Sequence, residues 1–212
     1  MLLLVRHAHA GDKYRWEGPD SVRPLSAAGQ AEAAGLLIRL EDYPLERILS
    51  SPTVRCQQTV QPLARDRYLG VECHPALGVD ADLAVVLALL GDLQAQSAVV
   101  CTHGEVIGQV LARLVVDGLT VDQPLTWPKG SSWLLEGTDG RFGFGRYLPT
   151  APAGRRADPV MATERCPATS SPSGDARCFP AMNAEADQME GAVRDEEVGD
   201  DGCAKGCAPD RR

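Results

Sequence analysis

The apolar run Leu2–Val5 constrains the fold of this chain more than any other feature. The run is short and has no alternation of apolar and polar residues, so it predicts a strand buried on both faces, as in a parallel sheet. Arg6 and His7 follow the run directly. Because ligands of open α/β sheets bind beyond the carboxyl ends of the strands, we expect both side chains at a binding site.

A second apolar run repeats this arrangement later in the chain. Ala98–Cys101 is followed by Thr102, His103, Gly104 and Glu105. Two imidazoles at the ends of two buried strands predict one shared site. A neutral imidazole surrounded by cations is suited to phosphoryl transfer to histidine.

The other segments alternate between strand and helix patterns. Helices are expected after the capping residue Ser26, from about Ser51, over Leu83–Leu93 and from about Glu105 to Val116. Further strands are expected at 47–50, at 71–74 and in a closing hairpin of 131–135 with 141–148. This alternation predicts an α/β fold: a three-layer sandwich with a mostly parallel central sheet and helices on both faces.

Composition excludes several classes of protein. The net charge is −8, whereas nucleic-acid-binding proteins usually have a basic face. No stretch approaches the roughly 20 apolar residues of a membrane span, and the opening run is too short for a signal peptide. We therefore expect a cytoplasmic protein with no nucleic-acid or membrane partner. The seven cysteines have no spacing typical of a zinc site, and no metal site is predicted.

The composition changes after Pro149, where large apolar residues become sparse and Pro, Gly and charged residues become frequent. Such a segment buries too little apolar surface to offset the entropy of ordering it. The sequence therefore predicts one domain at 1–149 and a disordered, low-complexity acidic tail at 150–212.

Three motifs together resemble those of the histidine phosphatase superfamily, which has the phosphoglycerate-mutase-like fold. They are Val5-Arg6-His7, the segment 50–55 with Thr59, and the segment 102–105. The resemblance covers roughly residues 1–148. It is closer to the short SixA-type phosphohistidine phosphatases and to the phosphatase domain of nudix-fused proteins. The residues typical of that subgroup are Arg23-Pro24-Leu25, Gly29 and the run from Lys129 to Trp133. One departure is Ala8, where the superfamily more often has Gly.

The resemblance implies that His7 is the nucleophile and becomes phosphorylated. Arg6 and Arg55 are expected to bind phosphoryl oxygens through bidentate hydrogen bonds and to lower the pKa of His7. His103 is expected to donate to a further oxygen and to stabilise the transition state. No metal and no cofactor is needed, because cationic side chains take that role.

The general acid and the residues beyond the phosphoryl pocket are less clearly marked. Asp80 is the first candidate for the acid, in the loop after the third strand, and Asp82 and Glu105 are the next. Further cations for binding substrate are expected from the loop 12–24 and from the loop before the hairpin. They are Lys13, Arg15, Arg23 and Lys129.

The sequence thus predicts a cofactor-independent phosphatase that acts on a small phosphorylated molecule or on a phosphohistidine protein. Two alternatives stay open: a phosphotransferase of the phosphoglycerate mutase type, and a regulatory or binding module with weak catalysis. The oligomeric state is left open.

Overall fold

The computed structural model describes residues 1–151. The predicted tail, 150–212, lies outside the described residues except for Thr150 and Ala151. The strands, in chain order, are β1 (Leu2–Arg6), β2 (Arg47–Ser50), β3 (Val71–Cys73), β4 (Ala98–Thr102), β5 (Thr120–Val121), β6 (Ser132–Thr138) and β7 (Arg141–Leu148). The helices are α1 (Ala27–Arg39), α2 (Val54–Arg67), α3 (Leu83–Leu93) and α4 (Gly104–Val116). Short 3₁₀ turns occur at Lys13–Arg15, Asp20–Val22 and Pro75–Leu77.

The seven strands form one mixed sheet in the order β3-β2-β4-β1-β6-β7-β5. β1, β2, β3 and β4 pair in parallel, whereas β6 is antiparallel to both β1 and β7. This arrangement confirms the predicted α/β class with a mostly parallel central sheet. β1 and β4 lie side by side at the centre, so their carboxyl ends meet at the same edge.

The side chains of β1 alternate between two cores, as the pleat of a strand requires. Leu2 and Leu4 pack in a cluster with residues of α3 and α4, whereas Leu3 and Val5 pack with residues of α1 and α2. All four side chains are fully buried. The sheet therefore has helices on both faces, which confirms the predicted three layers.

Local signals for the caps and the hairpin turn agree with the structure. The Ser26 side chain accepts a hydrogen bond from the Gly29 amide and begins α1. Asp139 and Gly140 connect β6 to β7, and both have positive φ angles, as a tight two-residue hairpin loop requires.

Three expectations about element boundaries are wrong. The first strand of the hairpin spans Ser132–Thr138 rather than 131–135. The second helix begins at Val54 rather than near Ser51, because the Ser51 amide still donates to the Cys101 carbonyl and continues the pairing of β2. The strand expected to include His74 ends at Cys73. The His74 amide still donates to the Ser50 carbonyl, and its side chain caps the 3₁₀ turn that follows.

Candidate active site

The carboxyl ends of β1 and β4 bring the two predicted histidines together. Arg6 is paired with Thr102 in the parallel register, and the His7 amide donates to the Thr102 carbonyl at 3.0 Å. The rings of His7 and His103 consequently meet edge to face, with centroids 5.3 Å apart. Pairing of two buried strands therefore places residues that are far apart in the sequence in one site.

His7 is buried and has one free ring nitrogen. Its Nδ1 lies 2.8 Å from the Ala8 carbonyl oxygen, which accepts only, so Nδ1 carries the proton and Nε2 the lone pair. Burial lowers the pKa of His7 to about 4, and the charges of His103 and Arg55 act in the same direction. Removal from water, rather than the expected charges of Arg6 and Arg55, is the largest cause of this lowering. His7 is therefore neutral at physiological pH.

The segment that follows His7 holds the ring against α2. The Ala8 amide donates to the Thr59 hydroxyl at 2.9 Å, and that hydroxyl donates to the Arg55 carbonyl at 2.7 Å. The methyl group of Ala8 is fully buried beside Ala33. The site thus accommodates alanine where the superfamily more often has glycine.

Arg6 lies across the turn between β4 and α4. Its Nη1 donates to the Trp127 carbonyl at 2.8 Å, and its guanidinium packs on the Cα of Gly104. A Cβ atom at position 104 would lie 2.7 Å from both Nε and Cζ of Arg6, closer than real Cβ atoms come. Glycine at this position therefore makes room for the guanidinium.

Arg55, in the first turn of α2, is almost fully buried and reaches the loop 12–24. Its Nη1 donates to the Asp20 carbonyl at 2.7 Å, and its Nη2 lies 2.9 Å from the Asp20 carboxylate. Arg23 Nε donates to the same carboxylate at 2.8 Å. Partial burial raises the pKa of Asp20, but the two guanidiniums outweigh it and hold that pKa below its usual value.

His103 lies between Arg55 and Ser51. Its Nδ1 is 3.4 Å from Arg55 Nη2, and its Nε2 is 2.9 Å from the Ser51 hydroxyl. The hydroxyl can accept a proton from Nε2 or donate one to it, so Ser51 is compatible with either neutral tautomer. A guanidinium only donates, so Arg55 Nη2 donates to Nδ1, and the ring proton of the neutral imidazole lies on Nε2 facing the Ser51 hydroxyl.

Four buried side-chain nitrogen or oxygen atoms within residues 1–151 have no hydrogen-bond partner, and two of them lie in this site. The Nε atoms of Arg6 and Arg55 are inaccessible to solvent and make no hydrogen bond within residues 1–151. Unpaired buried donors of charged groups are costly, so a native site usually supplies an acceptor. Two guanidiniums beside two imidazoles fit the several oxygens of a phosphoryl group.

These side chains line a cavity of about 380 Å³ at the carboxyl edge of the sheet. Among the further cations expected to bind substrate, Lys13, Arg23 and Lys129 line the cavity. Arg15 does not: its side chain is 90% exposed and lies 3.8 Å from Asp12. Three of the four predicted cations thus surround the phosphoryl site, and Arg15 is outside it.

Of the three candidates for the general acid, only Glu105 lines the cavity. Asp80 is exposed and does not line the cavity, where its neighbour Val79 does. Asp82 caps α3 by accepting from the amides of Ala84 and Val85. Glu105 lines the cavity.

Glu105 lies in the first turn of α4. A hydrogen bond from its own backbone amide is the largest cause that lowers the pKa of Glu105; partial burial opposes it, and the charge of Arg6 adds to it. Glu105 is thus ionised in the unliganded site.

Two residues with clear places in the site were not predicted. Asp20 is one polar residue of a long loop, and no pattern in the sequence marks it. Ser51 belongs to the motif segment 50–55, but the motif alone does not predict a contact between its hydroxyl and His103.

Neither a metal-binding cluster nor a membrane-spanning helix is found among the described residues. Within residues 1–151, no group of three or more His, Cys, Asp or Glu side chains could hold a metal ion. No helix in the same range is long and apolar enough to cross a membrane.

Comparisons with known proteins agree with a site built for a phosphoryl group. The family described as histidine phosphatase superfamily (branch 1) matches residues 2–78. The 8-oxo-(d)GTP phosphatase of Mycolicibacterium smegmatis (strain ATCC 700084 / mc(2)155) is 30% identical over 154 residues, which are 69% of this chain and 47% of the relative. The chain thus spans about half the length of that relative. The match over residues 2–78 agrees with the resemblance to the histidine phosphatase superfamily that the three motifs predict.

Solved structures share the fold. The protein histidine phosphatase SixA in complex with tungstate is 24% identical with a TM-score of 0.55, over 72% of this chain and 96% of that one. The alpha-ribazole phosphatase from Shigella flexneri is 18% identical with a TM-score of 0.54, over 71% of this chain and 95% of that one. The phosphoglycerate-mutase-like fold is therefore confirmed. The predicted enzyme class, phosphatase, agrees with this family and with the names of these relatives.

Proposed function

We propose that this chain hydrolyses phosphorylated compounds without a cofactor, through a phosphohistidine formed on Nε2 of His7. The observation that carries the proposal is the hydrogen bond from His7 Nδ1 to the Ala8 carbonyl, which leaves Nε2 free in a neutral, buried ring. An imidazole attacks only through an unprotonated nitrogen. Two guanidiniums with unpaired buried Nε atoms lie in the same site.

In the first step, the lone pair of His7 Nε2 attacks phosphorus, and the bond from phosphorus to the leaving group breaks. The electron pair of that bond goes to the leaving group. Arg6 and Arg55 bind the phosphoryl oxygens, and His103, which accepts from Arg55 Nη2 through Nδ1 and contacts the Ser51 hydroxyl through Nε2, holds the Arg55 guanidinium beside them. Donors fixed in advance toward developing charge lower the barrier because they need no reorganisation.

In the second step, water attacks the phosphorus of the phosphohistidine, and the bond between phosphorus and Nε2 breaks. The electron pair returns to Nε2, and inorganic phosphate is released. Glu105 takes the proton from the attacking water. The carboxylate lines the cavity and is ionised, as a proton acceptor must be.

The carboxylates also narrow the class of substrate. Three acids line the cavity. Asp20 and Glu105 have lowered pKa values, so neither is protonated for the first step. The Asp12 carboxylate accepts from the Tyr14 amide and lies beside Arg15. Alkoxide leaving groups need a proton in the transition state, whereas an imidazole with a pKa near ~6.5 or a phosphate group needs little or none. We therefore favour phosphoramidates, such as phosphohistidine, and phosphoric anhydrides of nucleotides over alkyl phosphates.

Lys13 and Lys129 favour an anhydride in particular. Both line the cavity beyond the phosphoryl donors, where they can bind a second phosphate of the substrate. The curated relative named as an 8-oxo-(d)GTP phosphatase supports a nucleotide, and the likeness to SixA supports phosphohistidine as the second candidate. The proposal includes a cytoplasmic location with a small phosphorylated molecule or a phosphohistidine protein as partner.

The test compares nucleoside triphosphates, a phosphohistidine peptide, p-nitrophenyl phosphate and an alkyl phosphate as substrates. Wild-type protein is expected to hydrolyse the first three, to retain activity in EDTA, and to carry acid-labile, base-stable phosphate after a rapid quench. His7→Asn should lose both turnover and label. His74→Asn, at a capping position that asparagine also suits, is the matched control and should keep both. Label on serine, or full activity of His7→Asn, contradicts the mechanism.

A further inference from the structure

One carboxylate in the loop 12–24 holds two arginines of the site at once. Asp20 accepts from Arg23 Nε at 2.8 Å through one carboxylate oxygen and lies 2.9 Å from Arg55 Nη2 through the other. Its backbone carbonyl accepts from Arg55 Nη1 at 2.7 Å. We propose that Asp20 is the positioning residue that fixes the Arg55 guanidinium for phosphoryl binding, an inference that rests on the proposed function.

The contacts of Arg55 show which of its edges is used for positioning. Both terminal nitrogens, Nη1 and Nη2, are held by Asp20, and Nη2 also lies 3.4 Å from His103 Nδ1. Nε is buried without a partner within residues 1–151. Asp20 therefore fixes both terminal nitrogens of a guanidinium that lines the cavity.

Holding the guanidinium in advance has a thermodynamic advantage. A long side chain that must be ordered on binding loses conformational entropy at that moment, whereas an ordered one has lost it during folding. Arg23 fixes Asp20 in turn, because its Nη1 donates to the Ala10 carbonyl at 2.6 Å and its side chain is itself buried. Ala10, Arg23, Asp20 and Arg55 thus form a connected chain of hydrogen bonds from the β1 loop to α2.

The negative charge of Asp20 makes this role testable. A carboxylate inside an anion-binding cavity repels the ligand, so removing its charge alone should strengthen phosphate binding. Removing a positioning contact should do the opposite. The sign of the change therefore separates positioning from simple electrostatics.

Asp12 is a matched control for the charge. It lines the same cavity and lies on the same loop, but its carboxylate contacts the Tyr14 amide and Arg15 rather than Arg55 or Arg23. Asparagine replaces aspartate well at such a capping position, so Asp12→Asn removes one charge and keeps the local structure.

The experiment measures kcat and KM with p-nitrophenyl phosphate, and Kd for inorganic phosphate by calorimetry, for wild type, Asp20→Asn, Asp20→Ala and Asp12→Asn. We expect Asp20→Ala to lower kcat/KM by ~10-fold, with a fall in kcat as well as a rise in KM, because a charge-assisted contact is lost. Asp20→Asn, which keeps one acceptor oxygen, should lose less. Asp12→Asn should bind phosphate as tightly as wild type or more tightly.

The outcomes separate this inference from the proposed function. If wild type turns over substrate and Asp20→Ala behaves like Asp12→Asn, the positioning role is overturned and the phosphatase proposal stands. If wild type binds phosphate without hydrolysing any substrate, the phosphatase proposal fails, and the phosphate Kd of the Asp20 variants still decides the positioning role. A weaker Kd in Asp20→Ala then supports it, and an equal or tighter Kd overturns it.

Discussion

Replacing Gly104 by alanine tests how closely the site depends on the position of Arg6. The new Cβ atom would lie 2.7 Å from Nε and Cζ of Arg6, whereas carbon atoms in ordinary contact are separated by about 3.5–4 Å. The guanidinium must therefore move by about 1 Å, and a misplacement of that size can cost ~10²-fold in rate. We expect kcat/KM for p-nitrophenyl phosphate to fall by about 10²-fold.

The stability of Gly104→Ala should change far less than its activity. The atoms that must move belong to the end of a flexible side chain, and alanine is the better helix former. We expect the free energy of unfolding to stay within about 1 kcal/mol of wild type, because the higher helix propensity of alanine offsets the strain of moving the Arg6 side chain. Urea unfolding followed by circular dichroism measures it.

Gly91→Ala is the matched control, because a Cβ at Gly91 in α3 meets no atom within 4 Å. It should stabilise the fold by roughly 0.5–1 kcal/mol and leave kcat/KM unchanged. Wild-type kcat/KM in Gly104→Ala would refute the assignment of Arg6 to phosphoryl binding. Equal losses of activity in both variants would show that the effect is general rather than local to Arg6.

Three further predictions concern the second histidine, the nucleophile and the boundary of the domain. Ser51→Ala should lower kcat by ~10-fold or more, because the hydroxyl 2.9 Å from His103 Nε2 holds the ring; Thr53→Ala, measured in parallel, should keep wild-type kcat. A pH profile of kcat/KM should keep its activity below pH 6.5 and lose it near pH 4, because burial lowers the pKa of His7 to about 4; an acidic limb at pH 6.5 would contradict this. Removing 152–212 should leave the melting temperature within a few degrees and kcat unchanged, whereas a stop before Thr150 should destabilise, because that side chain donates to the Lys129 carbonyl at 2.9 Å.

The fold was predictable where local chemistry decides it. The run Leu2–Val5 is apolar throughout because helices cover both faces of the sheet at this strand, and the sequence pattern therefore predicts the burial correctly. The cap at Ser26 involves only the first turn of α1, so the local sequence is enough to predict it. The two-residue strand β5, by contrast, carries no pattern of its own. It forms only because Thr120 and Val121 lie beside β7.

The same distinction applies to the site. His7 and His103 each follow an apolar run that predicts a buried strand. Because ligands bind at the carboxyl ends of such strands, the sequence predicts that both histidines lie in one site. Ser51 and Asp20 act through contacts with residues 52 and 35 positions away, respectively, which no local pattern encodes. The sequence could not predict whether the Asp80 carboxylate faces the cavity, because the course of that loop depends on how the 3₁₀ turn at Pro75–Leu77 leaves β3.

A neutral His7 lowers the stability of the native state in acid. In the unfolded chain a histidine takes up a proton near pH 6.5, whereas His7 in the native state stays neutral down to its lowered pKa of about 4. Between these values the unfolded state binds more protons, so the free energy of unfolding falls as the pH falls. The full contribution of His7, reached below pH 4, is about 3 kcal/mol.

His7→Asn removes this contribution while its side-chain amide can still donate to the Ala8 carbonyl. Urea unfolding at pH 7, 5.5 and 4.5 should therefore show that wild type loses stability relative to the variant as the pH falls, with most of the difference developing below pH 6. At pH 7 the histidine is neutral in both states, so its protonation contributes nothing there. Unfolding free energies that run parallel for the two proteins from pH 7 to 4.5 would mean that His7 titrates normally. The site would then hold a partly protonated nucleophile at pH 6.5, and burial would have to be abandoned as the means by which the fold keeps Nε2 free.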